Sequence, residues 1–147
     1  MNKHLVLLSI TAGLLLTACA SESDDMNSTN YRNPLPECPD TPNCIRYSFA
    51  SDEGATVVLD ALESALERMK AYEIDRESGS IDAVFRIPFF GWKDDVNIRL
   101  ETAGSGETLI HIRSASRVGY SDLGVNRMRI KKLRSEYYRS LKSLNAN

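Results

Sequence analysis

Histidine is scarce in this 147-residue chain: His4 and His111 are the only two. Cysteine is nearly as scarce, at Cys19, Cys38 and Cys44. A structural zinc site wants four closely spaced ligands, so this supply is too thin and no metal is expected. The apolar run at residues 5–16 is broken by Ser9 and Thr11, and falls short of the about 20 residues that a membrane-spanning helix needs. Positive charge is not in excess either. Eighteen Lys and Arg stand against 20 Asp and Glu, a formal charge of −2, which gives no reason to expect a nucleic-acid partner. There is no internal repeat, no nucleophile elbow of the hydrolase kind, and nothing that calls for a cofactor.

What is present begins at the N-terminus. Met1-Asn2-Lys3-His4 is a short positive start, followed by the apolar run and the small residues of Leu16-Thr17-Ala18-Cys19. These are the parts of a secretory signal. The last four residues resemble a lipobox, the motif cut by the lipoprotein signal peptidase. That resemblance implies removal of residues 1–18, a diacylglycerol on the Cys19 sulfur and an acyl chain such as palmitate on its new amino group. Two or more chains make anchoring stable where one is marginal. Ala20 and Ser21 follow, with no Asp beside the cysteine. By analogy with bacterial lipoprotein sorting, the expected place is the cell envelope, at the outer membrane and facing the periplasm.

The mature chain would have 129 residues, enough for one ordinary domain, and a charge of −3. Residues 122–147 hold seven basic residues against Asp122 and Glu136, a charge of +5, leaving −8 on residues 19–121. A basic helix face beside an acidic body is the reading this supports. Residues 19–36 are rich in Ser, Asp, Asn and Thr and read as a flexible tether between anchor and domain. Residues 37–147 read as a single globular domain.

Cys38 and Cys44 close the segment Cys38-Pro39-Asp40-Thr41-Pro42-Asn43-Cys44. In an exported chain such a pair usually becomes a disulfide, and the two prolines bias the segment toward a tight loop. A metal site and a redox-active pair are the rival readings. The spacing is not the Cys-x-x-Cys of thioredoxin-like redox sites.

Ser51-Asp52-Glu53 reads as a helix start, a capping hydroxyl followed by two acids. Val58, Leu62, Ala65, Leu66, Met69 and Tyr72 then recur at helical spacing, predicting a helix over 53–71. Four strands are expected next, over 73–77, 81–89, 94–101 and 109–114, with turns at Ser78-Gly79 and Gly104-Ser105-Gly106. Ile130, Leu133, Tyr137, Leu141 and Leu144 mark a final helix over 122–144. The fold expected is α+β and two-layered, a four-stranded antiparallel meander with both helices packed on one face.

Two segments carry a family resemblance: the Cys38–Cys44 segment with Ile45, and Ser114-Ala115-Ser116-Arg117-Val118-Gly119-Tyr120-Ser121-Asp122-Leu123-Gly124-Val125-Asn126-Arg127-Met128-Arg129-Ile130. Trp92-Lys93-Asp94-Asp95-Val96 lies between them. Together they resemble the domain of unknown function 1499, found in many bacterial envelope proteins, over residues 35–144. Thr41 and Arg46 stand where that family commonly has Ser. The resemblance implies a fold but supplies no reaction.

The segment 117–129 joins the last strand to the last helix. Arg117, Asp122, Asn126, Arg127 and Arg129 are the candidate ligand-binding residues there, because guanidinium groups beside a helix N-terminus suit an anion. The alternative is structural, with Asp122 as the cap and the arginines paired to acids. Asp94 and Asp95 are neighbours on a strand and point to opposite faces. Asp94 shares the parity of Val96, is expected inside, and needs a partner there; Arg117 is the expected one. A Ser-His-Asp set can be drawn from His111 with Ser114 or Ser116, but nothing else supports it. Pro88-Phe89-Phe90-Gly91-Trp92 is the densest apolar cluster, expected at a turn as a core rim or as a tip that touches a membrane or partner. Three functions follow from this. The first is a module binding an envelope partner or anionic ligand through 117–129. The second is a hydrolase-like enzyme using that region with Asp94 and Asp122. The third is a purely structural lipoprotein.

Overall fold

The computed structural model describes residues 31–146. The signal segment, Cys19 and most of the tether lie outside the described residues. The chain runs β1 (Cys44–Ser51), α1 (Ala55–Arg68), β2 (Glu73–Glu77), β3 (Ser80–Arg86), β4 (Lys93–Thr102), β5 (Thr108–Ser116) and α2 (Val125–Leu144). The strands form one antiparallel sheet in the order β1-β5-β4-β3-β2. Strands β2 to β5 are the expected meander. The expected count of four was one too few, because β1 adds a fifth strand against β5 and so becomes the edge. Ser51 ends that strand instead of capping a helix. Its hydroxyl accepts from Glu53 N at 3.2 Å and meets the Tyr137 hydroxyl at 2.7 Å. Gly54 occupies the N-cap of α1 without a side-chain cap.

Strand parity divides the sheet. On one face, Ile45, Tyr47 and Phe49 of β1 join Ile110 and Ile112 of β5, Val96 and Ile98 of β4, and Ile81, Ala83 and Phe85 of β3. Both helices pack there. Val58, Leu62, Ala65 and Leu66 of α1 and Ile130, Leu133 and Tyr137 of α2 are buried in the same core. Burying a large apolar side chain of this kind contributes about 1.5–3 kcal/mol. The other face is polar. Arg99 pairs with Asp82 through two hydrogen bonds of 3.0 Å, and Asn97 donates to the same carboxylate at 2.8 Å.

The incoming chain is fixed to β1 before the disulfide. Asn33 Nδ2 donates to Ser48 Oγ at 3.0 Å and to the Tyr47 carbonyl at 3.1 Å. Leu35 is buried, and its amide donates to Asn33 Oδ1 at 3.0 Å. The last residues read as tether are therefore docked on the domain. Cys38 and Cys44 form a disulfide, with Cα atoms 5.5 Å apart, which ties the incoming chain to the first residue of β1.

The register puts three connections at one end of the sheet: the Cys38–Cys44 loop, the β3–β4 turn at residues 87–92, and the β5–α2 loop at 117–124. The Cys38–Cys44 segment, the Pro88–Trp92 cluster with Asp94 and Asp95, and the segment 114–130 meet at this end, and His111 does not.

Candidate functional site

Asp94 lies inward, as its parity demands, and is 2% exposed. Its partner is Arg129 from the first turns of α2, with Nη2 2.5 Å from Asp94 Oδ2. The expected pairing with Arg117 is thus corrected. Arg117 continues the parity of Arg113 and Ala115 on the polar face, so it reaches Asp95 and not Asp94. Arg117 Nη2 and Nε donate to the Asp95 carboxylate at 2.7 and 3.0 Å, in the open. Hydrogen bonds to Asp95 raise the Arg117 pKa above its ordinary value. Arg129 is almost wholly buried. It also donates to Ser114 Oγ at 3.2 Å and to Asn126 Oδ1, and its guanidinium lies 4.9 Å from the centre of the Phe85 ring. A buried charge keeps its ionisation only with such partners.

Asn126 is the hub of the same network. It accepts from Ser114 Oγ at 2.6 Å, and its amide donates to Ser116 Oγ and to the Asn43 carbonyl, both at 3.0 Å. Asn43 in turn donates to the Gly119 carbonyl at 2.5 Å. The N-cap of α2 is Gly124 and not the expected Asp122, but the Asp122 carboxylate, two residues earlier, receives the amides of Gly124 and Asn126 at 2.9 and 2.7 Å and so satisfies amides at the start of the helix. Gly124 stands at φ +83°, the left-handed turn that lets the loop enter the helix. Four of the five candidate ligand residues therefore spend hydrogen bonds on the fold itself. Among them only Arg127 is exposed with no partner among the described residues. It borders a hollow of about 570 Å³ with Arg32 and Arg46, and a smaller one beside Leu123 and Gly124.

His111 is remote from Ser114 in function, because the two lie on opposite faces of β5. Its true neighbours are Ser48 Oγ, 2.8 Å from Nδ1, and Glu101 Oε2, 3.4 Å from Nε2. The ring is completely buried, and burial lowers its pKa against the opposing pull of Glu101. Ser48, cross-strand partner of His111, was invisible without β1.

What this network presents outward is apolar. Val118, Tyr120, Leu123, Val125 and Met128 are exposed on the loop and the start of α2. Opposite them stand Phe89, Phe90 and Trp92 of the β3–β4 turn, with Phe90 and Trp92 stacked at 4.7 Å between ring centres. Phe90 and Trp92 from the turn and Val118, Leu123 and Val125 from the loop and helix start line a cleft of about 290 Å³ together with Asp94 and Ser116. Phe89 and Leu123 are fully exposed, at 104% and 95%, and both hold left-handed backbones, at φ +70° and +53°. A left-handed non-glycine residue costs roughly 1–3 kcal/mol. Only one other described non-glycine residue, Lys70, has a positive φ. Strain and exposed apolar surface thus coincide on the two loops that border this cleft.

Among the described residues no group of histidine, cysteine, aspartate and glutamate could hold a metal ion, and no helix is long and apolar enough to cross a membrane. A search of the curated proteins finds no match. The two segments that carry the resemblance, joined in the fold by the hydrogen bonds of Asn43 and Asn126, both fall within residues 34–137, which match one family model, and the chain belongs to that family, Protein of unknown function (DUF1499).

Proposed function

We propose that this protein is a lipid-anchored module of the cell envelope that works by binding, and that it binds through the apolar end of its sheet. The anchoring part rests on the signal-like N-terminus and on Cys19. The binding part rests on one observation. The polar side chains Ser114, Asn126 and Arg129 of segment 114–129 are turned inward, while Val118, Tyr120 and Leu123 of the same segment face solvent, as do Phe89, Phe90 and Trp92. A soluble surface rarely gathers so many large apolar groups unless something covers them. Asp94 and Asp122, the acids of the hydrolase-like alternative, are engaged by Arg129 and by the amides that begin α2. A purely structural protein has no use for strained, fully exposed Phe89 and Leu123.

Site-directed photocrosslinking in cells tests this. Benzoylphenylalanine at Phe89 or Leu123 should yield adducts, with protein or lipid, that the same group at the exposed Lys142 does not. Equal labelling from all three positions would sink the reading.

A further inference from the structure

We infer that the surface seated on this apolar end is the lipid bilayer itself, so that the domain stands on its membrane tip-down. The inference rests on the binding reading above and names its partner. Three observations carry it beyond an unspecified apolar contact.

The first is shape. The exposed residues sit on two separate loops, and on each of them one apolar residue, Phe89 or Leu123, is almost fully exposed. A protein partner is usually met by a packed, continuous patch with a polar rim. Isolated apolar fingertips suit a fluid that closes around each of them.

The second is chemistry. Trp92 and Tyr120 are amphipathic aromatics of the kind that settle at the headgroup level, and they share the two loops with the wholly apolar Phe89, Phe90 and Leu123. Cations free of carboxylates flank both loops. Arg86 lies behind the β3–β4 turn, its guanidinium near Gly91 and 6.0 Å from the centre of the Tyr72 ring, with no carboxylate partner among the described residues. Arg127 lies behind the β5–α2 loop and has no ion-pair partner among the described residues. Lys93 and Arg117 stand nearby, paired with Glu73 and Asp95. Of the acids at this end, Asp94 is held by Arg129, Asp95 by Arg117 and Glu73 by Lys93, Asp122 accepts two amides at the start of α2, and Glu37 stands 3.8 Å from Arg46, which leaves Asp40 in the disulfide loop. Apolar tips with cations set behind them match a bilayer whose phosphates lie above its acyl chains.

The third is reach. Residues 19–30 separate the expected anchor from the first described residue. Such a length spans at most about 40 Å. Tyr31 and Arg32 border the same hollow as Cys38, Cys44 and Arg127, which belong to the apolar end. Anchor and tip can therefore meet one leaflet together.

Trp92 is the only tryptophan in the chain, which makes it a native reporter. The full processed chain, purified from membranes, is reconstituted in vesicles of phosphatidylethanolamine and phosphatidylglycerol, with and without bromine on the acyl chains. Trp92 should emit at shorter wavelength than in the detergent-free aqueous domain fold, lose most of its emission to brominated lipid, and resist aqueous iodide. The double variant Phe89→Asp, Leu123→Asp should melt like the parent, since neither side chain touches the core, yet should lose the bromine quenching. Trp92 that ignores brominated lipid and is quenched by iodide overturns the bilayer proposal. If that result comes with protein adducts in the crosslinking experiment, the partner is a protein and the binding reading stands. If it comes with no tip-specific adducts, both fail.

Discussion

Removing the Arg129 guanidinium leaves Asp94 charged, buried and alone. Losing one partner of such a pair costs about 3–5 kcal/mol, so Arg129→Ala should unfold at markedly lower urea than the parent. Removing both charges together should cost less than the two single losses combined, because the stranded charge is then absent. Arg117→Ala exposes nothing comparable, since its ion pair with Asp95 lies in solvent, and its unfolding midpoint should stay near the parent's. Equal losses for the two variants would contradict this division of labour. The sequence held the clue to the pairing. Arg117 shares the strand parity of Arg113 and Asp95, not of Asp94. The bend after Ser116, which brings α2 back over the sheet and delivers Arg129, has no such signature. His111 supplies a pH dependence of its own. Burial beside Ser48 lowers its pKa below the ordinary 6.5, against the opposing pull of Glu101. The unfolded chain therefore takes up the proton more readily than the fold does. Stability is fully present above about pH 6.5 and falls as the pH drops below it. His111→Asn should flatten that part of the profile, measured as the urea midpoint between about pH 7.5 and pH 5. An unchanged profile would mean that other groups govern it.

At the scale of elements, β1 depends on what holds its start. The disulfide closes a short loop from Cys38 to Cys44, worth about 2 kcal/mol on the chain-entropy model. Replacing both cysteines with serine should lower stability by about that amount, and thiol alkylation of the unreduced, denatured parent should label neither residue. Full labelling would contradict the bond. The meander β2 to β5 was legible because Val96, Ile98 and Leu100 alternate with Asn97, Arg99 and Glu101, and because glycine turns separate the strands. The helices were legible from their apolar stripes. β1 has the same alternation, with Ile45, Tyr47 and Phe49 inside and Arg46 and Ser48 outside. It was hidden because the cap-like Ser51-Asp52-Glu53 drew its last residue into a helix start, and because a strand whose partner lies some 60 residues later has no local turn to announce it. The buried polar hub was half legible. Asn126 lies one helical turn before Ile130 on the core stripe, so its burial follows from spacing. That Ser114, Asn43 and Arg129 all converge on it does not.

For the whole molecule, the anchoring and bilayer proposals together raise the question of how many contacts would hold it to a membrane. A single weak contact is marginal, but two on one chain reinforce each other, because the first raises the effective concentration of the second. The lipid on Cys19 and the apolar end would be such a pair. Cys19→Ala alone is an ambiguous test, since an uncut signal would itself keep the precursor in the membrane. The clean comparison exports residues 19–147 from an ordinary cleavable signal, with Cys19→Ala, so that the mature chain carries no lipid. That chain should divide between membrane and soluble fractions, where the native chain stays wholly with the membrane. Adding Phe89→Asp and Leu123→Asp should release it completely. In the lipidated parent the same two substitutions should leave fractionation unchanged, since the acyl chains suffice. Mass spectrometry of that parent should find diacylglycerol and an acyl chain on Cys19. An unmodified N-terminus beyond Cys19 removes the anchor from the scheme. A lipid-free chain that stays on the membrane despite both aspartates shows instead that a different surface of the domain holds it there.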